Sequence, residues 1–184
     1  YLEDNKQVEK IPNLILSVPK ELEHEQFLSQ MRNMFLPSKL WGKNEVTILC
    51  GPGFEKWSPK SIATGLGGSE EAVVHLSKEL KKKGYQVTVF ANPMDEAGNY
   101  DGVEYKQWYD FNIKDTFNIL ILWRAVGFVD YNFSARYVVL WCHDVPNCAD
   151  FTEDRMAKID RIAVLSEYQK SLFRMYRGGE FVPI

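Results

Sequence analysis

The chain has 184 residues, 45% of them hydrophobic and 26% charged, with a formal net charge of −3, which suits one packed domain with room for an appendage. The acidic balance, without a basic stripe interleaved with aromatics, argues against a nucleic-acid partner, because phosphate contact leaves a basic footprint. Three cysteines, Cys50, Cys142 and Cys148, are odd in number and lack CxxC spacing, so they read as reduced thiols of a cytoplasmic protein.

The opening YLEDNKQVEK lacks the basic-then-apolar order of a signal peptide, and no apolar run approaches the roughly 18 residues of a membrane span. Residues 1–44 read as a helical extension and linker. Between Pro19 and Pro37, Phe27, Leu28, Met31, Met34 and Phe35 recur at helical spacing, with Ser17 as the expected N-cap and Pro19 in the first turn. Mixed charges on the polar face favour a helix docked on its neighbour over one lying on a membrane, and membrane association has no further support. Leu36 to Asn44 serves as a connector.

From residue 45 to 184, β-type runs alternate with helical patterns, the signature of a parallel sheet wrapped by helices. VTILC at Val46–Cys50 is the first strand, closed by Gly51, Pro52 and Gly53. A helix over Ser69–Lys83 follows, with Ala72 or Val73, Leu76 and Leu80 inward, lysines at its negative end and Gly84 as the left-handed C-cap. YQVTVFA at Tyr85–Ala91 is the second strand. The turn-rich NPMDEAGNYDG leads to a third strand at Val103–Tyr105, with a further extended piece at Gln107–Phe111. FNILILW (Phe117–Trp123) and YVVLWC (Tyr137–Cys142) are nearly continuous apolar runs, as strands buried on both faces must be. A helix at Thr152–Lys158, a strand at Arg161–Leu165 and a helix at Glu167–Tyr176 complete the pattern. The expected fold is α/β: a Rossmann-like parallel sheet of order 3-2-1-4-5-6 with helices on both faces, preceded by the helical extension.

Gly65-Leu66-Gly67-Gly68 opens the helix at Ser69. Two readings fit this loop. Without a Cβ the backbone approaches a ligand closely and the first helical amides, with the positive end of the helix dipole, face an anion such as phosphate. Alternatively the glycines serve turn geometry alone and Ser69 is a plain N-cap. The loop is not GxxxxGK[ST], which excludes a P-loop nucleotidase, and it is not GxGxxG. The second strand ends in Phe90-Ala91-Asn92 without an acid for an adenosine ribose, which argues against a nicotinamide dehydrogenase.

In order and spacing, GLGGSEEAVVHLSKELKKKGYQVTVFA, LWCHDVPN, IDRIAVLSEYQKSLF and the closing FVPI resemble the N-terminal half of family 4 glycosyltransferases of the GT-B fold. The resemblance covers about residues 45 to 184. It implies that Gly67 and Gly68 approach the diphosphate of a nucleotide-sugar donor, with the amides of Ser69 and Glu70 sharing that role. It implies that His143, at the end of a central strand, lies near the reacting sugar. Read without the resemblance, His143 caps a strand end or bonds Asp144. Arg124 sits at the same sheet edge and suits a phosphate or an acceptor carboxylate, or a surface ion pair; Asp144 and Glu70 are further candidates for acceptor or phosphate contact. Cys142, His143, Asp144 and Cys148 are discounted as a metal set because Cys142 and His143 point to opposite faces of a strand. Trp57, Tyr100 and Trp108 offer candidate apolar platforms for a sugar face or core positions. Ser166 and Glu167 read as helix capping, and His24 and His75 as structural.

The resemblance implies a retaining transferase that moves a sugar from a nucleotide-diphosphate sugar to a small-molecule or glycan acceptor, without a cofactor or metal. In that family a C-terminal domain grips most of the donor, so this stretch alone is expected to be an inactive acceptor-side half. The same half-domain occurs in GT-B-type nucleotide-sugar epimerases, and a non-catalytic partner-binding module is a further alternative.

Overall fold

In the computed structural model, residues 7–19, 22, 25–53 and 55–177 are described, apart from the side chains of 148 and 174–177. His24, the Cys148 side chain and the closing segment 178–184 lie outside the described residues.

The two apolar runs picked out in the sequence lie side by side near the middle of the sheet. Strand β5 (Thr116–Trp123) pairs in parallel with β1 (Glu45–Leu49) on one side and with β6 (Ser134–Trp141) on the other. Beyond β1 come β2 (Gln86–Ala91) and β4 (Val103–Gln107), and beyond β6 comes β7 (Arg161–Ala163), all parallel. These strands follow the expected succession, but the full order is β3-β4-β2-β1-β5-β6-β7, which differs from 3-2-1-4-5-6 by one inserted edge strand. That strand, β3 (Gly98–Tyr100), runs antiparallel to β4 within the segment read as a turn. Asp101 (φ 53°) and Gly102 (φ 82°) form the two-residue loop between them. Positive φ at both positions matches the twist of a tight hairpin, which is why Asp-Gly suits it.

Alternation along the strands sorts the core into two layers. Val46, Ile48, Val87, Val89, Val103 and Ile121 face one side, where helix α3 (Gly68–Lys82) lays Val73 and Val74 on them. Leu49, Phe90, Leu120, Leu122, Val138 and Leu140 face the other side, covered by the connector, by 3-10 turns at Trp108–Asp110 and Val126–Tyr131, and by α5 (Glu167–Arg177) through Phe173. The piece expected to be extended at Gln107–Phe111 is therefore the last strand residue followed by a 3-10 turn. The helix expected over Thr152–Lys158 is shorter, α4 (Glu153–Met156), with the Thr152 hydroxyl accepting from the Arg155 amide at 3.4 Å. Gly84 takes φ 91° after α3, as a left-handed C-cap requires.

Among the described residues the extension forms two α-helices, α1 (Ile11–Leu16) and α2 (Gln26–Phe35). Ser17 is the C-cap of α1, its hydroxyl donating to the Leu14 carbonyl at 2.9 Å, and so is not the N-cap expected from its position before Pro19. Its hydroxyl reaches back one turn instead of forward. The connector after α2 is stitched to β5: Trp41 N–H donates to the Thr116 carbonyl and Thr116 N–H to the Lys39 carbonyl, both at 2.9 Å. Trp41, 8% exposed, packs against Phe90 and Phe117. Asp115 fixes this join, its carboxylate accepting from the Lys39 amide at 2.7 Å and from the Trp41 indole N–H at 2.9 Å.

Asp115→Ala strips both donors of their acceptor, and unpartnered buried donors carry a desolvation cost. The variant is expected to lose about 3 kcal/mol in urea unfolding followed by tryptophan fluorescence. A loss below about 0.5 kcal/mol, the range of an ordinary surface change, would show that Asp115 does not anchor the connector.

Candidate active site

Parallel strands deliver their carboxyl ends to one edge of the sheet, and here that edge holds Cys50-Gly51 just past β1, Arg124 just past β5 and His143-Asp144 just past β6. The chain after β1 makes a long excursion before reaching α3. Trp57, 5% exposed and edge-on to Tyr105, nails this excursion into the core. Its platform role is thereby closed, since both ring faces are covered by protein. Next to it Ser58 caps a 3-10 turn (Pro59–Ala63) and donates to Glu96 at 2.5 Å. Tyr100 is half-buried, with its hydroxyl donating to the Glu96 carbonyl at 2.7 Å, and Trp108 is half-buried on the opposite side of the sheet edge.

Helix α3 begins at Gly68, one residue earlier than read from the sequence. Gly67 is the N-cap, without a side chain to cap, and Ser69 lies inside the first turn; the plain-cap reading of Ser69 therefore does not hold. A Cβ at Gly68 would meet nothing within 4 Å, so the backbone there is open on its outer side. At Gly67 the Glu70 carboxylate folds back over the backbone. The chain's own carboxylate thus faces the positive end of the helix, where an anion is favoured.

Glu70 also joins a charged cluster. Arg124 lies 3.7 Å from Glu70 Oε1 and grips Asp144 with two donors, Nε to Oδ2 at 2.7 Å and Nη2 to Oδ1 at 3.0 Å. This is the planar fork for which guanidinium is suited. Arg124 takes φ 68°, a left-handed conformation uncommon for a side-chain-bearing residue, and stacks its guanidinium 5.0 Å from the Trp123 ring. The kink turns the side chain off the end of β5 toward the α3 N-terminus. Of the residues named from sequence, Glu70, Arg124, Asp144 and His143 are brought together, and Gly67 joins them through the Glu70 carboxylate.

His143 packs its ring at 4.5 Å from Trp141 and 5.9 Å from Trp123, on the α3 side of the sheet, whereas Cys142 is buried in the opposite layer. His143 Nε2 and the Trp123 indole nitrogen are both buried without a hydrogen-bond partner. An imidazolium would need an acceptor at each nitrogen, so this dry wall favours the neutral ring. Burial pulls the His143 pKa below its ordinary value, nearby Arg124 lowers it further, and Asp144 and Glu70 oppose both. Nδ1 is then the ring atom left to meet a ligand. The thiols do not compete for chemistry: burial pushes Cys142 up to about 12 and Cys50 well above its ordinary value, with Glu70 adding to the latter.

Beside the cluster opens a cleft of about 360 Å³ with Arg124, Asp144, Pro146 and Arg155 among its walls. Arg155, from α4, was not singled out in the sequence. It is held by Asp130, Nη2 to Oδ2 at 2.5 Å, and by the Asp150 carbonyl at 2.9 Å. Gln169 was also missed. Its buried amide accepts from Leu165 N–H at 2.7 Å and donates to the Asp144 carbonyl at 2.8 Å, tying the ends of β6 and β7 together. An isolated Gln on an amphipathic helix gives no sequence signal for that task. Ser166 accepts from the Gln169 amide at 3.1 Å, a capping contact, and His75 pairs with Glu71 on the exposed face of α3.

Because the folded pKa of His143 is depressed, its contribution to stability is fully present above the unfolded value near 6.5 and is lost as pH falls toward the folded value. Imidazole resonances of His143 are expected to titrate below 6.5, and Arg124→Met is expected to raise that midpoint by removing the neighbouring cation. A midpoint at or above 6.5 in the unmodified chain would overturn the dry-wall account. Among the described residues no helix is long and apolar enough to cross a membrane. Comparison with protein-family models, with curated proteins and with solved structures found no match.

Proposed function

We propose that the chain is the N-terminal, acceptor-side half of a retaining GT-B glycosyltransferase that moves a sugar from a nucleotide-diphosphate sugar to an acceptor. The observation that carries this reading is the arrangement at the sheet edge: a glycine-opened helix N-terminus, a forked arginine and a neutral histidine grouped through Glu70 and Asp144. Loss of a nucleoside diphosphate leaves negative charge on the departing group, and preorganised positive charge and backbone amides stabilise it as it forms. In this reading the amides at Gly67, Gly68 and Ser69 and the Arg124 guanidinium face that charge, with Glu70 swinging aside. The Glu70 carboxylate sits over Gly67 as the flexible end of a long side chain, so its displacement strains no backbone. His143, neutral near pH 7, accepts a hydrogen bond from a sugar or acceptor hydroxyl and positions it for transfer. No cofactor or metal is invoked, and the acceptor and the donor-gripping second half are the partners this chemistry needs.

One observation favours a second reading. Asp144 already occupies two donors of Arg124 and Glu70 already faces the helix end, as in an ion-pair network that merely fixes the loops of a partner-binding module. An epimerase built on the same half-domain would use the same edge.

The readings separate in the full-length protein, assayed for nucleoside diphosphate release from uridine and guanosine diphosphate sugars with and without glycan acceptors. Acceptor-dependent release is expected, and His143→Ala is expected to lower it about 100-fold, the scale of a positioned proton-transfer or hydrogen-bonding group. Gly68→Val has free space for its side chain and is expected to raise KM for the donor while the fold is retained. Near-native turnover in His143→Ala, or no release from any donor, would remove the transfer reading; release of free nucleotide and an isomerised sugar without acceptor would favour the epimerase.

A further inference from the structure

The carboxyl edge of the sheet has a second hollow, on the opposite face from α3. Strand order reverses between β1 and β5: from β1 the chain winds outward through β2 to β4, and then returns to β5 on the other side of β1. Open parallel sheets leave a crevice at such a switch point and take ligands there. Here the crevice is a cavity of about 240 Å³ floored by Leu49 and Gly51 from the end of β1 and by Phe128 from the turn after β5. Gly51, at φ 72°, has no room for a Cβ, which would overlap the Phe128 ring. Backbone and ring therefore pack directly and form a flat base.

The described walls are largely aromatic and uncharged. Trp108, Tyr109 and Phe111 come from the turn after β4, and Phe111 is itself held stacked on Phe117 at 4.8 Å and edge-on to Phe90 at 5.4 Å. From the extension, Gln26 and Gln30, four residues apart on α2, present carboxamides at the rim. Ile113 and Tyr131 at the mouth leave large apolar side chains 48% and 46% exposed. Among the described residues no Asp, Glu, Lys or Arg lines this cavity, so an ionic ligand would lose its water there without a compensating partner. A neutral ring gains edge-to-face contact with the walls and can hydrogen-bond the two amides. By liquid volume the space equals about eight waters, the scale of a fused bicyclic ring.

We infer that this cavity binds a neutral, flat, ring-shaped ligand bearing a hydroxyl, and that α2 exists to wall it. The ligand's role as the apolar part of a sugar acceptor rests on the transferase reading; the binding itself does not. Fused rings of this size test it directly in the full chain by ligand-observed saturation-transfer NMR and tryptophan fluorescence. 2-Naphthol, uncharged at pH 7, is expected to bind with a Kd of about 1 mM or tighter, as its atom count allows. Its anionic counterpart 2-naphthoate and the acyclic 1-octanol are each expected to bind at least about tenfold more weakly. Gln30→Glu and Ile113→Glu place a charge at the rim on exposed positions, so both should fold with a melting temperature within about 2 °C of the parent. Each is expected to weaken 2-naphthol at least about tenfold. Absence of 2-naphthol binding, equal binding of naphthoate or octanol, or binding untouched by both folded variants would overturn the inference. Because the readout is binding, failure here leaves the transferase proposal standing, and absence of sugar transfer with intact 2-naphthol binding removes that proposal alone.

Discussion

Parallel pairing constrains everything that the chain does at its functional edge. Strands that run the same way must be joined by crossovers, so both faces of the sheet are covered and only the ends of the strands remain for chemistry. In this chain Val46, Ile48 and Ile121 look into the α3 layer, and Leu49, Leu120 and Leu122 look into the other. The first residues past each strand end then inherit a fixed direction. Arg124 needs a left-handed backbone to leave β5 toward α3, a conformation that costs energy for a residue with a Cβ. Its fork on Asp144, its approach to Glu70 and its stacking on Trp123 are what hold it there.

The edge carries two environments, separated by the thickness of the sheet. On the α3 side charge is crowded into a small space, one guanidinium against two carboxylates, beside an imidazole whose pKa burial and Arg124 pull down. On the other side, the hollow beside Gly51 is lined, among the described residues, by uncharged and largely aromatic side chains. That division follows from strand alternation, since consecutive residues at a strand end point to opposite layers.

Much of the fold was legible in the sequence because central parallel strands are apolar on both faces. FNILILW and YVVLWC could belong to little else, and placing their ends places Arg124, His143 and Asp144. Gly84 was legible as a helix stop for a different local reason, since glycine readily takes the left-handed conformation that ends a helix. Other features depended on contacts distant in sequence. Ser17 precedes a proline and reads as a helix start, yet its hydroxyl satisfies the carbonyl of Leu14 in the preceding turn. The Asp101-Gly102 hairpin did carry a local signal, but the strand before it is so short that the glycine-rich composition masked it. Glu70 reads as a candidate for acceptor or phosphate contact, but its approach to Arg124, from a strand more than fifty residues later, carries no local signal. Gln26 and Gln30 reveal nothing, and Trp108 reads only as a candidate platform or core position, until α2 docks beside the turn after β4, so the aromatic hollow could not be foreseen from any one segment.

The burial of Trp57 in the middle of the β1–α3 excursion has a mechanical consequence. The Trp57 amide is tied to the Asn92 carbonyl at 3.1 Å and Ser58 is fastened next to it, so the excursion is two short arcs and not a single long flap. Short arcs have fewer shapes to lose when their ends are fixed, and each swings about its own pair of anchors. Displacement of Glu70, as the transfer reading requires, would therefore be confined to the glycine arc, with Trp57 and Ser58 holding the backbone on its far side.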